Sequence, residues 1–349
     1  MSDAMTLFSQ ALEQLRLAAV NVPGLTELAQ FPFLFRPLVM VVLLGVVAGV
    51  IGVIVNLRSA EFSAEAMVHA VFPGIVAGAV YWGIDAIIPA ASVVAVAAAV
   101  VLTIVSHRSH RGEASEAGTA VVLTSFFSIG LILSLAKGDM SGQLEALMFG
   151  RLLEVTDERL AQALIVCTVA LLLIMATWKE QVAYAFDRTG ARASGLRLLA
   201  LDLALNTAIA AAVVSASTAV GTLLVIGYLV IPGTTARILA SRVRSMVAVA
   251  IAVGVGGGYL GMLLMALPET LDKPISPQAT VALVMTAILL LAVGVAAARE
   301  RLRGAIQRAR STRSATVPTT SRNAGADSTA GRAVGSESAA APAAERSRV

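Results

Sequence analysis

Long apolar segments alternate with short polar or charged stretches along most of the chain. A helix needs about 20 mostly apolar residues to cross the hydrocarbon core of a membrane. The pattern therefore predicts an all-α, polytopic membrane protein with about nine transmembrane helices. They are predicted at residues 38–57, 66–82, 84–106, 117–136, 160–178, 198–216, 219–240, 246–267 and 279–298.

The composition agrees with this pattern. Of the 349 residues, 57% are apolar and 14% are charged, and the mean hydropathy is +0.83. A soluble domain is about 45–50% apolar and about 25% charged, so a water-soluble enzyme is disfavoured. The single cysteine, Cys167, excludes an intrachain disulfide. The sequence has no glycine-rich phosphate-binding loop, so we predict that the chain is no enzyme and holds no tightly bound cofactor.

The chain divides into three parts by composition. Residues 1–36 form an N-terminal extension whose apolar residues recur at helical spacing, which predicts an amphipathic helix along a membrane surface. Residues 37–298 form the transmembrane domain. Residues 299–349 carry ten Arg and four acidic residues among small polar ones, which predicts a disordered, basic tail.

The basic residues of the loops predict an orientation. Loops on one side of the predicted helices hold ten Lys and Arg residues, and loops on the other side hold six. Because cytoplasmic loops are enriched in Lys and Arg, we expect the first side to be cytoplasmic. The N-terminus then lies outside the cell membrane, and the C-terminal tail lies in the cytoplasm.

Two of the predicted helices contain a proline–glycine pair, Pro73-Gly74 and Pro232-Gly233. Proline removes a backbone donor and clashes with the preceding turn, so a helix break is expected at each pair. In a membrane, freed backbone groups face protein or a water-filled path. Interrupted helices in corresponding halves are typical of inverted-repeat transporters, in which they line the pathway. The alternative is two unrelated packing kinks.

Glu65 and His69 form the most informative polar pair. They are four residues apart, so on a helix they lie on one face. A carboxylate and an imidazole in this arrangement suit manganese, iron or zinc. The alternative is a structural contact between the two side chains.

The other polar residues near the predicted helices have less specific interpretations. His107 and His110 lie in a basic loop, where we interpret them as part of a positively charged membrane anchor. Asp202 lies one helical turn before Asn206. It either lines a pathway or bonds a neighbouring helix, and the second interpretation is favoured.

Four motifs occur in order along the chain. They are Leu57-Arg58-Ser59 followed by Ala64-Glu65 and His69-Ala70 to Pro73-Gly74; Met148-Phe149-Gly150-Arg151-Leu152-Leu153; Phe186-Asp187 with Ala191-Arg192 and Gly195; and Gly221 to Leu229, Ile231-Pro232 and Thr235-Ala236-Arg237. With these motifs, residues 33–298 resemble the permease subunit of bacterial ABC importers for manganese, zinc and iron. The chain departs from the family pattern at Glu65, where Asp is usual, at Ser59, where a second Arg is usual, and at Asp202, an unusual acid.

The resemblance implies an ABC importer permease fold with inverted repeats. It implies a multi-pass protein of the bacterial cell membrane, surrounded by lipid, that transports a divalent metal ion and binds no nucleic acid. The implied partners are a second copy of the permease in a homodimer, cytoplasmic ABC ATPase subunits and an extracytoplasmic solute-binding protein.

The resemblance also assigns residues to roles. Glu65 and His69 are implied as metal ligands, and Asp187, Ala191, Arg192 and Gly195 as a coupling site for the ATPase. An ordinary basic loop is the alternative for residues 186–197. Import of a metal chelate or haem by the same architecture remains a second function, and a non-transporting membrane scaffold a third.

Overall fold

The computed structural model describes residues 2–108, 112–136, 150–266 and 276–315, and every regular element in these ranges is helical. His110, Met148 and Phe149, which the sequence analysis names, lie outside the described residues, as does the predicted tail beyond residue 315. The α-helices are α1 (Ser2–Val20), α2 (Thr26–Ala29), α3 (Pro32–Leu57), α4 (Glu61–Ala77), α5 (Ile87–Arg108), α6 (Gly112–Leu135), α7 (Asp157–Ala176), α8 (Trp178–Phe186), α9 (Arg188–Ala193), α10 (Leu198–Leu239), α11 (Val243–Ala266) and α12 (Pro277–Ala315).

Helix α3 lies at the centre of the bundle and packs against α10 and α11 along its length. Its glycines lie where the neighbouring backbones come closest. A Cβ atom at Gly49 would lie 2.8 Å from the backbone nitrogen of Ile251, and one at Gly52 would overlap the carbonyl oxygen of Leu229. Small residues of this kind let membrane helices approach closely enough for van der Waals packing.

Helix α10 consists of two halves that run in opposite directions. Asp202, near its start, forms an ion pair with Arg58, and Arg237, near its end, donates to the carbonyl oxygen of Asn56. A straight helix would separate two residues 35 positions apart by about 50 Å, yet both contacts lie at the C-terminal end of α3. The chain therefore reverses at Gly221, which has non-helical backbone angles (φ 78°, ψ 161°).

The reversal produces two crossings where one long helix is assigned. Eight helices in the described residues are long and apolar enough to cross a membrane, and Leu224–Leu239 adds a shorter apolar helix. The prediction of about nine transmembrane helices is confirmed in this sense. Because α4 begins at the C-terminal end of α3 and the second half of α10 ends there, the two helices with proline–glycine pairs run in opposite directions.

Both proline–glycine pairs lie inside helices that continue through them. The predicted breaks at Pro73-Gly74 and Pro232-Gly233 are therefore absent from the backbone; the departures lie instead at the π-helical turn Gly78–Trp82 and at Gly221. A Cβ atom at Gly74 would lie 2.8 Å from the Cα atom of Ala91 in α5. One at Gly233 would overlap the backbone of Gly52. Close helix packing accounts for both glycines.

The N-terminal extension packs on the outer face of the bundle. Phe8 and Leu12 of α1 contact the core, and a groove of about 290 Å³ lies between α1, α3 and α7. The Arg36 guanidinium and the Asp157 carboxylate are 2.5 Å apart, and Ser9 donates to the same carboxylate over 2.9 Å. These contacts fix α1 to the ends of α3 and α7.

The division of the chain near its C-terminus differs in one respect from the prediction. One compact unit ends at Arg299, and a second unit begins at Glu300. Helix α12 continues to Ala315, so residues 299–315 are helical where the sequence analysis expects the disordered tail to begin. Arg and Gln residues are good helix formers, which the compositional argument for disorder overlooked.

The α3–α10 contact predicts a strong effect of side-chain size at Gly52. We expect Gly52→Val to lower the free energy of unfolding by about 1–3 kcal/mol, because the new atoms overlap the Leu229 carbonyl and force the helices apart. Thermal unfolding of the purified protein in detergent measures the change. Gly256→Val in α11 is the matched control, since a Cβ atom there meets nothing within 4 Å. Equal stability of the two variants would contradict this account of the α3 packing.

Candidate functional site

The predicted metal-binding pair lies on the second and third turns of α4. Glu65 is exposed and His69 is half-buried, whereas Ala66, Met67 and Val68 between them are buried. The His69 ring packs edge-on against the ring of Phe127 in α6, with centroids 5.3 Å apart. Glu65 and His69 thus share the side of α4 that the rest of the described chain leaves open.

One copy of the chain supplies few ligands at this position. Among the described residues, no group of three or more His, Cys, Asp or Glu side chains converges. Neither the Glu65 nor the His69 side chain forms a hydrogen bond or ion pair with another of those residues. A single chain could therefore offer a divalent ion there only the Glu65 carboxylate and the His69 imidazole.

A second polar cluster lies at the C-terminal end of α3. The Arg58 guanidinium forms an ion pair with Asp202 of α10 and donates over 2.7 Å to the Oε1 atom of Gln181 in α8. It also lies 4.0 Å above the centre of the Tyr184 ring. Nδ1 of His107, at the end of α5, is 3.6 Å from the other Asp202 oxygen. Arg58 therefore joins α3 to α8 and α10, and the Asp202 carboxylate lies next to His107 at the end of α5.

The cluster borders a polar cavity of about 440 Å³, whose lining includes Ser63, Glu116, Tyr184 and Arg188. Burial raises the pKa of the Tyr184 phenol, and the Asp202 carboxylate raises it further, so Tyr184 stays neutral. The quadrupole of the neutral ring attracts the Arg58 cation to its face.

Asn56, two residues before Arg58, holds the end of the second half of α10. Arg237 donates to the Asn56 backbone oxygen over 2.9 Å and to its side-chain oxygen over 3.2 Å. The Asn56 amide donates to Glu61 at the start of α4 and to Thr234. The Arg of the fourth motif therefore caps a helix carbonyl, where a cation is favoured by the helix dipole.

The predicted coupling residues form a short helix with defined ends. The Asp187 carboxylate caps α9 by accepting from the backbone nitrogen of Gly190 over 2.8 Å. Gly195 has φ +80° and ends the segment. Arg188 and Arg192 are exposed, and Phe186 is 72% exposed.

Ala191 departs from its expected place on that surface. It is buried, and it packs with Tyr184, Leu198 and Leu201 inside the chain. The predicted coupling site is therefore not open at all four residues, because α9 turns Ala191 towards α8 and α10. The other predicted coupling residues, Asp187, Arg192 and Gly195, are exposed and available to a partner, as are Phe186 and Arg188.

The structure also brings together residues that the sequence analysis kept apart. His107, interpreted as a membrane anchor, contacts Asp202, and the favoured interpretation of Asp202 as a partner of a neighbouring helix agrees with its bond to Arg58. Gly150 of the second motif lies against Gly221 of the fourth, so a Cβ atom at Gly150 would overlap the Gly221 backbone. The motif order held no signal for the contact between Gly150 and Gly221, since it lies at the reversal in α10.

The structure is a bundle of membrane-crossing helices, with an ionisable pair on α4 and the short capped helix α9 at one end. This is the architecture of a membrane permease. The chain belongs to the ABC 3 transport family, which it matches over residues 30–296. It is 32% identical over 239 residues to the manganese transport system membrane protein MntC of Listeria monocytogenes. The aligned region covers 68% of this chain and 83% of that protein. It is 30% identical over 246 residues to the chelated iron transport system membrane protein YfeC of Yersinia pestis, with 68% and 82% covered.

Solved structures show the same fold. PsaBC from Streptococcus pneumoniae, in complex with Fab, is 25% identical, with a TM-score of 0.66 over 77% of this chain and 94% of that chain. An inward-facing putative metal-chelate type ABC transporter is 11% identical, with a TM-score of 0.59 over 84% and 99%. The predicted family and fold class are thereby confirmed.

Proposed function

We propose that the chain is the permease subunit of an ABC importer for a divalent transition metal ion, with manganese and iron as the first candidates. The observation that carries the proposal is the Glu65–His69 pair on α4, within the family match. An ionisable residue inside a membrane segment is costly unless it serves transport or is paired. Relatives named for manganese and iron support these two metals.

The open side of α4 supports a second copy as the partner. A carboxylate facing lipid would be strongly disfavoured, so Glu65 requires a cover that is protein or a water-filled path. Two copies related by a two-fold axis would present the same pair to each other. Such a homodimer places up to four protein ligands around a path between the copies, and water completes the shell.

The segment of α8 and α9 is the proposed contact for a separate ABC ATPase, which supplies the energy of transport. Its exposed Phe186 and two arginines suit a groove with an apolar floor and acidic rim. An extracytoplasmic solute-binding protein would deliver the ion to the opposite end of the bundle. Neither task requires a catalytic group from this chain.

Transport of a metal chelate is the second candidate, and the name of the Yersinia pestis relative favours it. A chelate brings its own ligands and needs a wider path. The Glu65–His69 pair offers direct ligands instead, so the bare ion is preferred. The carboxylate arm of Glu is longer than that of the usual Asp, so ion preference is where this chain is expected to differ from its relatives.

We place the N-terminus outside the cell membrane and the C-terminal tail in the cytoplasm. A membrane-impermeant thiol reagent applied to intact cells should label Asp272→Cys and leave Ala330→Cys unlabelled, in a background in which Cys167 is replaced by serine. Permeabilised cells provide the control, because both positions should then react. Labelling of both from the outside would contradict this orientation.

The metal pair is tested by radioactive manganese uptake in cells that depend on this permease. We expect Glu65→Gln and His69→Ala each to reduce the uptake rate about tenfold or more, because each removes one of the few protein ligands. The exposed Glu27→Gln, outside the family match, is the charge-matched control. If both variants take up manganese, iron and zinc at the wild-type rate and protein level, the ions bind elsewhere.

The coupling surface is tested by a charge reversal. We expect Arg192→Glu to reduce co-purification of the ATPase subunit and metal uptake together, since it places an acid where the partner's acidic groups are expected. Arg244→Glu, an equally exposed reversal at the start of α11, should leave the complex intact. Normal complex formation by Arg192→Glu would assign α9 to another role.

A further inference from the structure

Arg58 occupies the corner between the central helix and the helix that carries the metal pair. It follows the last residue of α3, and Ser59 after it adopts a left-handed backbone conformation (φ 51°) that non-glycine residues rarely take. Helix α4 begins two residues later, and Glu65 lies on its second turn. A displacement of Arg58 therefore reaches the metal pair through a short, tightly bent connection.

The contacts of Arg58 lead from this corner to the proposed coupling segment. Gln181 and Tyr184, which hold the guanidinium, both belong to α8 and are buried. The guanidinium of Arg188, the first residue of α9, lies 5.7 Å from the centre of the same Tyr184 ring. Ala191 of α9 packs in the same cluster as Tyr184. The exposed helix α9 is thus connected to Arg58 through a single aromatic ring.

The same guanidinium is tied to the first turns of α10. Its bond to Asp202 is nearly buried, with 10% and 13% of the two side chains exposed. The Gln181 amide donates over 2.8 Å to the Leu201 backbone oxygen, next to Asp202. Arg58, Gln181 and Asp202 therefore form a closed set of bonds between three helices. The planar fork of arginine can hold two such acceptors at once, whereas a lysine ammonium is a point charge.

The cavity of about 440 Å³ beside the cluster gives these groups space in which to move. Its lining includes Arg58, Tyr184, Arg188 and Asp202, so the side chains of the set border open polar volume instead of a close-packed interior.

We propose that Arg58 is the positioning residue that transmits movement of the α8–α9 segment to the α3–α4 corner, and so couples ATP hydrolysis to the position of the Glu65–His69 pair. This inference rests on the proposed function. It assigns the unusual acid Asp202 a purpose: it holds the Arg58 guanidinium in the orientation that Gln181 and Tyr184 require.

The experiment measures the manganese ions moved per ATP hydrolysed, using the permease with its ATPase and solute-binding protein in proteoliposomes. Arg58→Met and Asp202→Asn each leave a nearly buried charge without its partner and should lower thermal stability. The double variant Arg58→Met/Asp202→Asn removes both charges and should regain stability. We nevertheless expect the double variant to move at most about one fifth as many manganese ions per ATP as the wild type. The connection from the α8–α9 segment to the α3–α4 corner is then lost. Arg58→Lys should likewise be stable but poorly coupled.

A control variant and three results separate a coupling role of Arg58 from a purely structural one. The Arg36→Met/Asp157→Asn double variant removes a similar ion pair at the opposite end of α3 and should keep the wild-type ratio. If the stable Arg58→Met/Asp202→Asn protein keeps the wild-type ratio, Arg58 is only structural and the inference is overturned. The same holds if the Arg36 control loses coupling equally. If the wild-type complex itself moves no manganese, iron or zinc, the proposed function fails, and this inference fails with it.

Discussion

Close contact of the α3 backbone with two neighbouring helices is the constraint on which the rest of this structure depends. Lipid tails are as apolar as leucine, so burying apolar side chains gives membrane helices little reason to associate. Van der Waals contact at short range must supply the attraction, and it requires small residues. Gly49 faces Ile251 of α11, and Gly52 faces Leu229 and Gly233 of α10. In the second proline–glycine pair, Gly233 therefore allows α10 to cross α3 at short distance.

Polar contacts at the C-terminal end of α3 add direction to this packing. The helix end carries unpaired carbonyl groups and a partial negative charge, both of which favour cations. Arg237 satisfies the Asn56 carbonyl, and Arg58 extends from the last turn towards Asp202. Both ends of α10 are held here, so the chain must reverse between them. Gly221 provides the turn, and Gly150 makes room for it.

The sequence was sufficient to predict the helical class, the approximate number of crossings and the pairing of Glu65 with His69 on one face. These depend on local period and length, which neighbouring helices change little. The boundary predicted between residues 216 and 219 lies close to the turn at Gly221. The breaks predicted at Pro73-Gly74 and Pro232-Gly233 are wrong, because proline is a strong local signal for a break but both helices continue there. The sequence also could not distinguish Ala191 from Arg192 as buried and exposed. A six-residue helix has too few turns to show a periodic apolar face.

The Arg58–Asp202 pair illustrates why a buried charge pair is informative about function. Replacing such a pair by apolar residues of similar size is often neutral or stabilising, whereas removing one partner costs about 3–5 kcal/mol. Stability alone therefore gives a membrane protein no reason to place an acid in the sixth apolar segment. An ion pair does differ from an apolar contact in one respect: it fixes two groups in one orientation while remaining able to exchange partners with water or other polar groups. At Arg58 such partners are present, since Gln181 and a polar cavity adjoin the pair. The arrangement suits a joint between helices that must stay connected while they move.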